Sequence, residues 1–215
     1  MRKGHVMSKL AFIFPGQGAQ KAGMGKDFYE NSEAARSFFD QAQKILDFDL
    51  KEMCFGEHEE LNLTEYTQPC MVSVCLAIVQ ELKKRGINPD ITAGLSLGEY
   101  AAVAAAGGMN ELDAIKLVRR RGILMQSTVP AGEGAMAAVL GLDAKKIEEI
   151  LESFENVWIA NYNCPGQIVI TGLTNEVQQA SLALKEAGAK RVVELKVSGP
   201  FHSLLLKPAG EALLK

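Results

Sequence analysis

Gly94-Leu95-Ser96-Leu97-Gly98 sets a serine between two glycines at the spacing of a nucleophile elbow. Asn88-Pro89-Asp90 breaks a helix before it, Ile91-Thr92-Ala93 can run as a short strand, and Glu99 to Ala106 is small, apolar and helical in character. In that context the glycines let the backbone turn sharply and hold the Ser96 hydroxyl at the tip. The helix behind it offers free N–H groups and a positive dipole end to an oxyanion. A glycine-rich turn with a capping serine is the plainer alternative.

A base and an anion site can be sought elsewhere. His202 lies in Ser198-Gly199-Pro200-Phe201-His202-Ser203, just past a predicted strand and ahead of an apolar helix from Ser203. A neutral imidazole there can take a hydroxyl proton and return it; a surface or capping role is the alternative. His58, in Glu57-His58-Glu59-Glu60, reads as solvated and has too few companions at helical spacing to hold a metal. The run Arg119-Arg120-Arg121 falls on a predicted helix, Glu111 to Thr128. The axial neighbours of Arg121 are Leu117, Val118, Leu124 and Met125, all apolar, whereas Arg119 and Arg120 have Lys116 beside them and read as nearer the polar edge. A charge on an apolar face needs an anion, either an internal Asp or Glu or a carboxylate ligand, unless its stem snorkels to water.

The elements that must position these residues read as α/β. Leu10 to Phe14 is a continuous apolar run, as a buried parallel strand would be, and Pro15-Gly16-Gln17-Gly18-Ala19-Gln20 follows as a loop. Lys21 stands where a dinucleotide fingerprint needs its third glycine, which removes that reading. Ser32 to Leu46 is predicted helical with Ala35, Phe38, Phe39, Ala42 and Ile45 on one face; Asp47 to Asn62 reads as acidic and irregular; Thr64 to Arg85 reads as a helix with Pro69 in its first turn. From Gly132 the order becomes β-α-β-β-α-β, a split βαβ unit, over Ala135–Gly141, Ala144–Phe154, Val157–Tyr162, Gln167–Gly172, Asn175–Ala187 and Arg191–Val197. Residues 131–198 are thus expected as a small insertion on a larger body formed by 1–130 and 199–215.

Composition bounds the function. The 215 residues carry a net charge of −3, 47% hydrophobic and 23% charged residues, a soluble globular balance with no basic stripe for nucleic acid. The first residues lack the apolar core of a signal peptide, Met7 is an alternative start, and no run is long enough to span a membrane. Cys54, Cys70, Cys75 and Cys164 form no C-x-x-C pair and read as reduced cytosolic thiols.

Phe14-Pro15-Gly16-Gln17-Gly18-Ala19-Gln20, Tyr66-Thr67-Gln68-Pro69, the Ser96 elbow with Glu99, Arg121-Gly122 and Gly199-Pro200-Phe201-His202-Ser203 occur in this order. Together they resemble the malonyl-CoA:acyl carrier protein transacylase family of fatty acid synthesis, and they are similar to the acyltransferase domains of polyketide synthases. The resemblance runs from Lys9 onward. It implies an α/β-hydrolase-like parallel-sheet body with an inserted ferredoxin-like subdomain. It implies Ser96 as nucleophile and His202 as general base, and an oxyanion hole from the backbone N–H groups of Gln17 and Leu97. Arg121 would hold the free malonyl carboxylate, Gln68 would line the pocket, and Asn161 and Asn163 would lie in a loop near the pantetheine. Phe201 would favour malonyl over methylmalonyl. Malonyl-CoA is the expected donor and the phosphopantetheine of acyl carrier protein the acceptor, with no metal or resident cofactor, in a cytoplasmic monomer. In the family the chain runs on past the position of Lys215, and a downstream Gln carbonyl orients the imidazole. The resemblance therefore implies that these 215 residues alone are less stable and less active than a complete chain. A serine hydrolase with water as acceptor and a non-catalytic carrier-protein docking module are the rival readings.

Overall fold

Strand β1 (Ala11–Phe14) pairs in parallel with β2 (Ile91–Gly94), Ala11 opposite Ile91 and Phe14 opposite Gly94. Between them the chain makes the crossover that parallel pairing requires, here several helices. The computed structural model describes residues 9–130, 132–195, 197 and 199–215. The first residues, read above as lacking a signal-peptide core, and Ser198 of the histidine loop lie outside the described residues. The chain divides into two compact units, Met1–Gly122 and Ile123–Lys215.

In the first unit the crossover comprises α1 (Lys26–Asn31), α2 (Glu33–Gln43), α3 (Leu50–Phe55), a 3-10 turn at Glu59–Asn62, and α4 (Thr64–Lys84). After β2 come α5 (Gly98–Ala105) and α6 (Glu111–Thr128), which runs past the unit's end. Ser32 caps α2 by accepting from the Ala35 N–H, and the face Ala35, Phe38, Phe39, Ala42 is buried as its spacing predicts, while Ile45 falls past the helix end and is half-buried. The stretch expected to be irregular instead holds α3 and the 3-10 turn. Asp49 explains the former: its carboxylate accepts from the N–H groups of Lys51 and Glu52 and starts the helix. Asn110 does the same for α6 through Leu112 and Asp113.

Two expectations for this unit need correction. β1 is not buried along its length: Phe14 is, but Ile13 is 78% exposed, because a sheet of two strands leaves one of its faces bare. Pro69 is not in a first turn. Helix α4 begins at Thr64, so Pro69 sits in its interior, where it has no N–H to give the carbonyl of Glu65.

In the second unit β3 (Gly134–Leu140), α7 (Ala144–Leu151), β4 (Val157–Cys164), β5 (Gln167–Leu173), α8 (Thr174–Glu186) and β6 (Arg191–Glu194) realise the split βαβ order. The sheet runs β4-β5-β3-β6 with every neighbour antiparallel. Alternation sorts its two faces. Ala135, Ala137, Val139, Ile168 and Ile170 pack with Ile147 of α7 and Val177, Ala180 and Leu184 of α8. Met136 and Val169 point the other way, to Met125, Phe201 and Ala209 of α9 (Lys207–Leu213). A mixed α/β architecture with one parallel and one antiparallel sheet is thus established. No helix among the described residues is long and apolar enough to cross a membrane.

Candidate active site

At the elbow the structure gives Ser96 a φ of 52°, a left-handed backbone that a residue with a side chain rarely adopts. Strain of this kind persists where the surroundings over-determine it, and here the flanking glycines show how. A Cβ on Gly94 would overlap the backbone of Gly98 and Glu99, and one on Gly98 would overlap the Phe14 carbonyl. The end of β2, the start of α5 and the end of β1 therefore touch backbone to backbone, which leaves the turn no room to relax. The Leu95 N–H donates to the Phe14 carbonyl at 3.1 Å and ties the elbow to β1. Leu97 is buried immediately ahead of α5. Among the described residues neither its N–H nor that of Gln17 donates to a backbone carbonyl. The side chain of Gln17 is held from α4: the Thr64 hydroxyl donates to Gln17 Oε1 at 2.7 Å.

Arg121 lies beside the helix that follows this turn. Its guanidinium sits 5.4 Å from the ring centroid of Tyr100, four residues after Ser96 on α5, and its Nη1 donates to Gln68 Oε1 of α4 at 2.7 Å. Burial lowers its pKa, partly offset by Tyr100 and Glu99. Among the described residues no carboxylate forms an ion pair with it. Gln68 is itself fully buried. A half-buried guanidinium that hydrogen-bonds a neutral amide, lies over a ring face and makes no ion pair among the described residues can receive a carboxylate.

Arg119 departs from its expected place at the polar edge. Its side chain is only 12% exposed, lying against the edge-to-face pair of Phe48 and Tyr66 with centroids 5.1 and 5.0 Å away. It grips Asp47 by two bonds, Nε–Oδ1 at 2.8 Å and Nη2–Oδ2 at 2.9 Å. Its Nη1 donates to the Glu65 carbonyl at 2.8 Å, the acceptor that Pro69 leaves unserved. Burial works against its charge, but Asp47, Glu65 and Tyr66 together outweigh that and the pKa is raised.

The second unit carries the remaining candidates. His202 has a φ of 60° and is exposed, in a turn closed by Phe201 N–H to the Gly199 carbonyl and by the Ser203 hydroxyl to the Pro200 carbonyl. Phe201 is buried against Met125, Met136, Val169 and Ala209. Asn161 and Asn163 are on strand β4 rather than in the loop implied by resemblance. Asn161 pairs with Val169, which puts it on the Phe201 face of the sheet, and Asn163 falls in a register irregularity near the hairpin.

The first unit thus brings together Ser96, Leu97, Tyr100, Arg121 and Gln68, with Gln17 anchored on Thr64. Tyr100 and Thr64 were not singled out from sequence, and neither carries a local signal. Arg119 had one: counting four residues back from Pro69 marks the Glu65 carbonyl as seeking a donor. Among the described residues no group of three or more His, Cys, Asp or Glu side chains is arranged to hold a metal.

A sequence profile of the acyl transferase domain matches residues 11–215. The chain is 50% identical over 212 residues to the malonyl CoA-acyl carrier protein transacylase of Bacillus subtilis (strain 168), covering 96% of this chain and 67% of that protein. The structure of malonyl CoA-acyl carrier protein transacylase from Clostridium perfringens ATCC 13124 matches with a TM-score of 0.90 at 44% identity, covering 96% of this chain and 66% of that one. A malonyl-transacylase in complex with its type II PKS acyl-carrier protein matches with a TM-score of 0.92 at 41% identity, covering 96% and 68%. The chain spans about two thirds of the length of these relatives.

Proposed function

Since this chain belongs to the acyl transferase domain family, we propose that it moves a malonyl group from malonyl-CoA to the phosphopantetheine thiol of acyl carrier protein. Ser96 Oγ attacks the thioester carbonyl and gives its proton to His202. The N–H groups of Gln17 and Leu97 receive the negative charge on the carbonyl oxygen. The C–S bond breaks, the CoA sulfur takes the proton from His202, and a malonyl ester remains on Ser96. The carrier thiol then attacks that ester, passing its proton through His202 back to Ser96 Oγ, in a ping-pong sequence.

The observation that carries this reading over a general serine hydrolase is Arg121. A half-buried guanidinium that forms no ion pair among the described residues, over the ring of the residue one turn past the nucleophile, suits an acyl group that ends in a carboxylate. Acetyl-CoA would leave it unpaired, and a missing charged hydrogen bond is worth about 1.5–3 kcal/mol. Gln68 orients the guanidinium, Phe201 selects malonyl over methylmalonyl, and Asn161 and Asn163 contact the pantetheine arm. The body comprises 1–130 with 199–215, and 131–198 is the insertion. The reaction is placed in the cytoplasm and needs no resident cofactor.

Intact-mass spectrometry after brief mixing with malonyl-CoA tests this. The expected result is one malonyl adduct on the wild type and none on Ser96→Ala, with the adduct cleared by holo acyl carrier protein. An adduct that persists on Ser96→Ala overturns the assignment of the nucleophile; release of free malonate faster than transfer to the carrier makes it a hydrolase.

A further inference from the structure

Arg119 makes no use of the substrate side of the molecule, yet it is held by four hydrogen bonds and two aromatic rings, two residues before Arg121 on the same helix. Its partners are informative. Glu65 and Gln68 are three residues apart on α4, so they lie one turn apart on one side of that helix. Arg119 binds the first and Arg121 the second. Between them the helices nearly touch: a Cβ on Gly122 would lie 2.7 Å from Glu65 Cα and 2.8 Å from the Thr64 carbonyl oxygen. We propose that Arg119 is a positioning residue for the carboxylate receptor: its grip on Asp47 and on the Glu65 carbonyl fixes the axial register of α6 against α4 in which Arg121 meets Gln68. This inference rests on Arg121 binding the malonyl carboxylate, as proposed above.

The geometry explains why an arginine is needed. A slip of one residue along a helix is about 1.5 Å, enough to part a hydrogen bond of 2.7 Å. The planar guanidinium meets Asp47 with two parallel bonds and still has a third nitrogen for the Glu65 carbonyl. A lysine ammonium keeps the charge but cannot hold both partners in one plane.

The test is equilibrium binding of malonyl-CoA and of acetyl-CoA by calorimetry, on a Ser96→Ala background so that no acyl transfer intervenes. Arg119→Lys is expected to weaken malonyl-CoA about tenfold and to leave acetyl-CoA unchanged, because only the carboxylate contact is misplaced. Should that variant not fold, Asp47→Asn keeps Arg119 and its carbonyl bond, and is expected to show the same selective loss at roughly threefold. Arg121→Ala is the reference and should abolish the preference for malonyl-CoA. If Arg121→Ala abolishes it while the Arg119 and Asp47 variants weaken both ligands equally or neither, the positioning role is wrong and the receptor stands. If Arg121→Ala leaves the preference intact, the receptor itself is wrong.

Discussion

Thr64 shows how little of a site its obvious residues contain. It is fully buried at the first position of α4, where its hydroxyl donates to Gln17 Oε1 instead of capping its own helix. Gln17 is proposed to act through its backbone N–H, and Thr64 holds its Gly-rich loop together with Gln20, whose Nε2 donates to Asn62 Oδ1. Thr64→Val keeps the shape and removes the donor, leaving the Gln17 amide to find another partner. The expected outcome is a fall of about 10-fold to 100-fold in the rate of Ser96 acylation, less than the loss of a whole oxyanion donor. Stability should change by no more than about 1.5 kcal/mol. Rapid-quench measurement of adduct formation alongside thermal unfolding separates the two; an unchanged acylation rate would mean that the loop is held without Thr64.

At the scale of elements, helix α6 is fastened to what precedes it by charge as well as by packing. The Arg119 guanidinium hydrogen-bonds Asp47 and holds its carboxyl below the usual carboxylate range. A lowered folded-state pKa means that the unfolded chain binds a proton the folded one refuses. The contribution is therefore fully present above the unfolded value near 3.9, and is lost as pH falls through the folded one. Asp47→Asn removes that dependence. Its stability should fall less steeply than that of the wild type between about pH 5 and pH 2, and the two curves should converge at the acid end. Equilibrium urea unfolding across that range reads it directly, and parallel curves would show that Asp47 is not linked to folding. The bond between Arg119 and Asp47 also marks where sequence reading stopped. Helices α2, α4, α5 and α6, and the alternation of β3 and β5, were legible because period and capping are local. The burial of Arg119 was not, because its aromatic partners Phe48 and Tyr66 lie more than fifty positions earlier. The elbow was legible from its glycines, but the Tyr100 ring that supports Arg121 depends on how α5 and α6 meet. The short helices α1 and α3 were missed because six residues show too little period.

Across the whole molecule the two units differ in how much of their own apolar surface they cover. The first has a two-stranded parallel sheet, and Ile13 and Ile91 remain 78% and 54% exposed on it; parallel sheets are normally covered on both faces. The second covers both faces of a four-stranded sheet from within itself. Val139, Ile147, Ile170 and Leu184 are fully buried on the helical side, and Met136, Val169, Phe201 and Ala209 pack on the other. Every neighbouring strand pair is antiparallel, and antiparallel pairing stands well without further strands. Ile123–Lys215 expressed alone is therefore expected to fold, with dispersed amide resonances and a single cooperative thermal transition. Ile170→Ala in that fragment should cost about 2–5 kcal/mol, since the residue is central to β5 and pairs with both Ala137 and Ile159. Met1–Gly122 alone, with its sheet face bare, is expected to melt lower or to associate. If the second fragment shows a broad, uncooperative melt while the first folds well, its sheet depends on contacts beyond its own core, and the assignment of independent stability to Ile123–Lys215 is wrong.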